Sequence, residues 1–170
     1  MIALKKVYLW FFAIYLKLNR FKKILVTIDG SPQSMKAVDY AINIAKKYGS
    51  EIIALHVLYS QIGFAFYSET ATGLVTPNSI NELIEQAKKE AEKWFDEIRE
   101  TCRNVNLKVK TEAVITAISV VEAIISYSEK ENIDLIVIGS RGRSAFRKLI
   151  LGSAASGVMT FAHCPVMVIK

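Results

Sequence analysis

Two short stretches of the chain carry residue types suited to phosphate chemistry. One is Asp29-Gly30-Ser31-Pro32; the other is Gly139-Ser140-Arg141-Gly142-Arg143-Ser144, which continues to Gly152-Ser153. Glycines let a backbone approach a ligand closely and turn its N–H groups inward. A Gly-Ser pair opening a helix adds free amides and the positive end of the helix dipole, an anion site in outline. Arg141, Arg143, Arg147 and Lys148 place cationic charge nearby. The same residues also suit a glycine turn, a capping serine and a solvated basic loop, and glycine spacing alone does not choose between the two.

Asp29 has two readings as well. It can end a strand and start a turn, with Ser31 as N-cap and Pro32 at the first helical position. Its carboxylate can equally accept hydrogen bonds from the adenosine end of a nucleotide. Nothing pairs a nucleophile with a base in recognisable spacing, and no His/Asp set converges on these stretches, so binding is expected and any nucleotide hydrolysis should be slow and incidental. His56 ends an apolar run, IIALHV, where a satisfied core histidine is the plain expectation. A phosphate loop of the G-x4-G-K-[ST] type is absent. A phosphoacceptor receiver fits poorly, since the first strand ends in one aspartate without an acidic partner. A flavodoxin-like carrier could use Ser31 and Ser34 as phosphate hydroxyls, but Asp29 would face that phosphate with the wrong charge.

The elements that must position these stretches alternate regularly. Ile24–Ile28 is a short β-branched strand. A helix follows with Met35, Val38, Ala41, Ile42 and Ala45 on one face, closed by Gly49. Ile52–Val57 is a second strand, and a long connection from Tyr59 to Asn78 comes next. Ser79 and Glu82 have capping-box spacing. The helix they open should bury Ile80, Leu83, Ile84, Ala87, Ala91, Trp94, Phe95 and Ile98. A strand over Val109–Ile115, a helix over Ser119–Lys130, a strand at Leu135–Ile138, a helix over Ser153–Ala162 and a last strand at Val166–Ile169 complete the order. LIVI is apolar throughout, which indicates a strand covered on both faces. Five β/α alternations with helical crossovers predict an α/β, doubly wound, five-stranded parallel sheet with helices on both faces. In such sheets ligands sit beyond the carboxyl ends of strands where the strand order reverses.

The chain has 170 residues, enough for one domain, and 52% apolar residues can build its core. Two cysteines, Cys102 and Cys164, have neither disulfide-framework nor metal-site spacing and read as reduced thiols. The net charge of +6 resides in the N-terminal arm and the two lysines, Lys22 and Lys23, that follow it. Of 22 basic residues, six lie within the first 23 positions, leaving 16 against the 16 acidic residues of the body. A neutral body argues against nucleic acid as a partner. Within the arm, residues 1–21, Val7–Leu16 is ten uncharged residues, too short to span a bilayer. Leu4, Val7, Tyr8, Phe11, Ile14, Tyr15 and Leu18 recur at helical spacing. An accessory helix, an interfacial membrane anchor and a biological start downstream of the arm all remain open for it.

Gly139-x2-Gly142-x9-Gly152-Ser153, preceded by LIVIGS and followed by HCPVMVIK, resembles the ATP-binding signature of universal stress proteins of the UspA-like type. The opening KKILVTIDGS resembles their first strand and its aspartate, and the likeness runs from about Lys22 to Lys170. The resemblance implies an adenine nucleotide alpha hydrolase-like, Rossmann-like sheet ordered 3-2-1-4-5. It implies ATP, with Mg²⁺ or Mn²⁺ held through the phosphates. Asp29 and the backbone of Val57 would meet adenine and ribose, and Ile138 and Gly139 would line the nucleoside. Gly142, Gly152 and Ser153 would hold phosphates, with Arg143 and Ala154 completing the set. One departure stands out: Ala154 and Ala155 follow Ser153 where the family often carries valine and then a hydroxyl residue, although Ser156 lies one position later. The resemblance further implies a cytoplasmic, nucleotide-dependent regulator or stress-response factor that dimerises with itself through Val166–Ile169. Val166–Ile169 would be an edge strand, and an uncharged edge invites pairing. The alternative is a homodimeric scaffold of the same fold without nucleotide, membrane-associated through the arm.

Overall fold

The computed structural model describes residues 21–59, 77–143 and 151–170. The arm before Phe21, most of the Tyr59–Asn78 connection, and Ser144, Arg147 and Lys148 lie outside the described residues.

Strands β1 (Lys23–Ile28), β2 (Glu51–Tyr59), β3 (Val109–Thr116), β4 (Leu135–Gly139) and β5 (Val166–Ile169) form one sheet in the order β3-β2-β1-β4-β5. Every pairing is parallel. In register, Ile24 lies between Ile52 and Leu135, and Ile28 lies opposite His56. The three inner strands are the most uniformly apolar, and all five residues of β4 are buried. That follows from position: an inner strand of a doubly wound sheet has no solvent face.

Helix α1 (Pro32–Tyr48) begins where the sequence places it. Ser31 is the N-cap, its hydroxyl accepting from Ser34 N at 3.2 Å, and Gly49 ends the helix in the left-handed conformation at φ 70°. Its buried face is Ser34, Ala37, Val38, Ala41, Ile42 and Ala45, with Met35 half-buried at the margin. Helix α2 (Pro77–Asn104) starts two residues before the expected Ser79 cap, with proline at the first helical position, where its missing N–H costs nothing. Ala91, Phe95, Ile98 and Cys102 make its buried stripe, while Trp94, Ile84 and Ala87 are half-buried. Cys102 is thus a core residue one turn beyond the expected stripe. The side chains of Ile80 and Leu83 lie outside the described ones.

Helices α1 and α2 cover one sheet face, packing on Ile24, Val26, Ile52, Ala54, Leu135 and Val137. Helices α3 (Val120–Lys130) and α4 (Ser153–Phe161) cover the other, against Leu25, Ile53, Leu55, Ile136 and Ile138. Alternate residues of one strand therefore enter two cores, as the pleat requires. Close approach of α3 and α4 depends on Gly157, since a β-carbon there would fall 2.6 Å from Val121 Cγ2. Phe21 packs against the first core and meets Tyr48 edge-on at 5.3 Å. The sheet order matches the one implied by resemblance. It sets the carboxyl ends of β1 and β4 side by side at the reversal.

Candidate functional site

The turn after β1 and the turn after β4 are stitched together through Asp29. Its Oδ1 accepts from the backbone N–H of Ser31 at 3.0 Å and from the Ser31 hydroxyl at 2.6 Å. Its Oδ2 accepts from the backbone N–H of Arg143 at 3.2 Å. A β-carbon at Gly142 would fall 2.6 Å from that same Oδ2, so glycine is what allows the two turns to meet. Gly139 has a similar reason, because a β-carbon there would lie 2.9 Å from the backbone of Gln33 and Ser34 at the start of α1. The glycine turn is held from behind as well. Ser140 N donates to Ile169 O at 2.6 Å, and Gly152 N donates to Ser140 O at 2.8 Å.

Above this junction lies a cavity of ≈ 500 Å³. Asp29, Val57, Ile138, Gly139, Gly142, Arg143, Gly152, Ser153 and Ala154, the full set expected from the sequence, all line it. They come from four separate stretches of chain, so the fold brings together what the sequence holds apart. One side offers amides: Gly152 caps α4 with no side-chain hydrogen bond, and the first turn of a helix has N–H groups without intrahelical partners. The other side is apolar, formed by Val57, Ile118, Val120, Val121 and Ile138.

Sequence reasoning missed the wall from the end of the β3–α3 connection and the first turn of α3, Ile118 to Val121, and Tyr59 at the end of β2. These residues carry no glycine pattern and no charge. The usable signal was topological: the carboxyl end of the third strand faces the same rim. Ser119 caps α3, its hydroxyl accepting from Glu122 N at 3.3 Å.

His56 is buried and its Nδ1 lies 2.6 Å from Ile28 O. A carbonyl only accepts, so Nδ1 carries the proton. The ring also meets Trp94 edge-on at 5.2 Å. It is a satisfied core histidine. Arg141 and Arg143 are exposed at the rim. The Arg143 guanidinium pairs with Glu90 of α2 rather than standing free. No group of three or more His, Cys, Asp or Glu able to hold a metal ion occurs among the described residues.

The model of the universal stress protein family matches residues 20–170. The chain belongs to that family. Universal stress protein MJ0531 of Methanocaldococcus jannaschii is 32% identical over 154 residues, covering 89% of this chain and 84% of that protein. Universal stress protein YxiE of Bacillus subtilis is 31% identical over 152 residues, covering 88% and 99%. Among solved structures, that of MJ0577 from the same archaeon superposes with a TM-score of 0.74 at 26% identity, covering 89% of this chain and 96% of that one. More distant universal stress proteins share the fold at 16–20% identity. They were solved with cAMP, with dAMP (from Archaeoglobus fulgidus) and with AMP (from Arabidopsis thaliana).

Proposed function

We propose that this universal stress protein binds ATP in the cavity between the β1 and β4 ends and acts as a nucleotide-dependent regulator rather than by transforming a substrate. The observation that carries this reading is the convergence of Asp29, Val57, Ile138–Arg143 and Gly152–Ala154 on one cavity of ≈ 500 Å³. That volume falls within the range of small-molecule sites. The two sides of the cavity suit the two ends of a nucleotide. Val57, Ile118, Val120 and Ile138 receive the base and ribose, while the uncapped start of α4 and the Gly142 turn receive phosphates. The adenine nucleotides bound by the distant relatives support the choice of base.

In this reading Asp29 does two things. Its oxygens already hold the Ser31 and Arg143 amides, so any contact with ribose uses lone pairs left over on a carboxylate with about four acceptor sites. Mg²⁺ or Mn²⁺ binds through the phosphates. The body from residue 22 onward is the nucleotide-binding unit and the arm before it is an appendage that can touch a membrane surface. The protein is cytoplasmic, has no nucleic-acid partner, and pairs with a second copy through β5.

The test is mass spectrometry of nucleotide released on denaturing the purified protein, with calorimetry using ATP and Mg²⁺, for the wild type and Gly142→Val. Co-purified or titrated ATP in the wild type, lost in the variant, is the expected result. No binding at millimolar ATP with Mg²⁺ would overturn the reading in favour of a scaffold without nucleotide.

A further inference from the structure

Trp94 of α2 touches three separate groups around the site. A β-carbon at Gly30 would fall 2.2 Å from its Cζ2, so the indole lies flush on the turn that follows β1. Its ring meets His56, which is bonded to the end of β1, at 5.2 Å. Finally, the Arg143 guanidinium sits 5.6 Å from its ring centroid. One helical turn earlier, Glu90 grips the same guanidinium with both oxygens, Nη2 to Oε1 at 2.9 Å and Nη1 to Oε2 at 3.4 Å. Such a paired fork fixes the orientation of an arginine as well as its charge.

The backbone of Arg143 is meanwhile pinned to Asp29 Oδ2. One residue thus ties the glycine turn to the aspartate through its amide and to α2 through its side chain. We infer that Arg143 is a positioning residue: Glu90 and Trp94 anchor its side chain so that the Gly142–Arg143 backbone is held over Asp29, and the guanidinium is a strap rather than a phosphate ligand. This deepens the proposed nucleotide site and rests on that reading for its effect on affinity, but not for the strap itself. Two exposed contacts of modest strength act together here, an ion pair and a cation–π stack. Each alone shifts an equilibrium only a few-fold.

The decisive variants are Glu90→Gln, Arg143→Glu and the double reversal Glu90→Arg with Arg143→Glu. Position 90 stays one turn from Trp94, so an arginine there can still stack on the indole and pair with a glutamate at 143. Two readouts are taken on the full chain. Hydrogen exchange of the Arg143 amide, without nucleotide, should quicken about three- to tenfold in each single variant and return towards the wild-type rate in the double variant. Calorimetry with ATP and Mg²⁺ should show a comparable loss in the single variants and recovery in the double variant. If the guanidinium instead binds phosphate, the double variant binds ATP no better than Arg143→Glu, and the strap is wrong. If amide exchange is the same in all four proteins, the strap is also wrong. A wild type that binds no adenine nucleotide sinks the proposed function alone, because the exchange rates still decide the strap.

Discussion

The two edges of the sheet are built in opposite ways. β3 is charged on the face covered by α3: Lys110 pairs with Glu112 at 3.0 Å and with Glu131 at 3.4 Å, and the Tyr127 hydroxyl donates to Glu112 at 2.7 Å. On its other face Thr111 accepts from Arg99 of α2 at 2.7 Å, and that arginine also pairs with Glu92 and Asp96. β5, by contrast, is Val166-Met167-Val168-Ile169 without a charge, and Met167 is 36% exposed. Met159 and Phe161 of the preceding helix are exposed as well. An open strand edge recruits another strand unless something blunts it, and charge is the common device. One edge is therefore guarded by charge and the other is suited to the proposed pairing of two copies.

The sharpest way to break this contrast is to move the charge. Met167→Lys should weaken self-association at least tenfold, since a lysine at an apolar interface must be desolvated or pushed out. Light scattering across micromolar concentrations would show a dimer becoming a monomer, and a monomeric wild type would remove the role given to β5. The converse change, Lys110→Val with Glu112→Val, uncovers the β3 edge. It should produce species larger than a dimer in the same measurement, growing with concentration, while an unchanged profile would mean that the charges do not guard that edge.

Tyr127→Phe isolates one bond of the guarded edge. Losing the hydrogen bond to Glu112 should cost about 1 kcal/mol in urea unfolding, with self-association unchanged from the wild type. A further effect is in pH. Burial, and then the hydrogen bond to Glu112, push the Tyr127 hydroxyl up to about 12 from an ordinary 10.0. A proton held more tightly in the folded state stabilises below the unfolded value and is lost as pH rises through the folded one. Wild type should therefore lose stability relative to Tyr127→Phe between pH 10 and about 12. On the acid side, the Tyr127 hydroxyl and Lys110 hold Glu112 below its usual range. Its contribution is present above the ordinary carboxylate value of 4.5 and fades as pH falls through the lowered one.

Much of this was legible in the chain. Ser31-Pro32 and Gly49 bound α1 as capping chemistry requires, and LIVI reads as a doubly covered strand because it is one. The start of α2 was misplaced because Ser79-x-x-Glu82 imitates a cap, while Pro77 is the stronger signal for a first helical residue. At the site, the glycine spacing pointed to residues that line one cavity but gave an incomplete reason for them. Gly139 and Gly142 are glycines because α1 and Asp29 come too close for a β-carbon, a contact between residues more than a hundred positions apart. The apolar wall at Ile118–Val121 went unread, since ordinary aliphatic residues announce a cavity only when the sheet order places them beside one.

By itself the sequence determined the alternation of strands and helices, the inner strands and the family, because periodicity, caps and glycine spacing are local properties. Only the tertiary structure decided that Asp29 spends its carboxylate on two turns, that Arg143 lies across Trp94 onto Glu90, and that Lys110, Glu112 and Tyr127 meet at the β3 edge. Those are pairings across the sheet and between helices, and no local pattern encodes which distant side chain will be waiting when the chain closes.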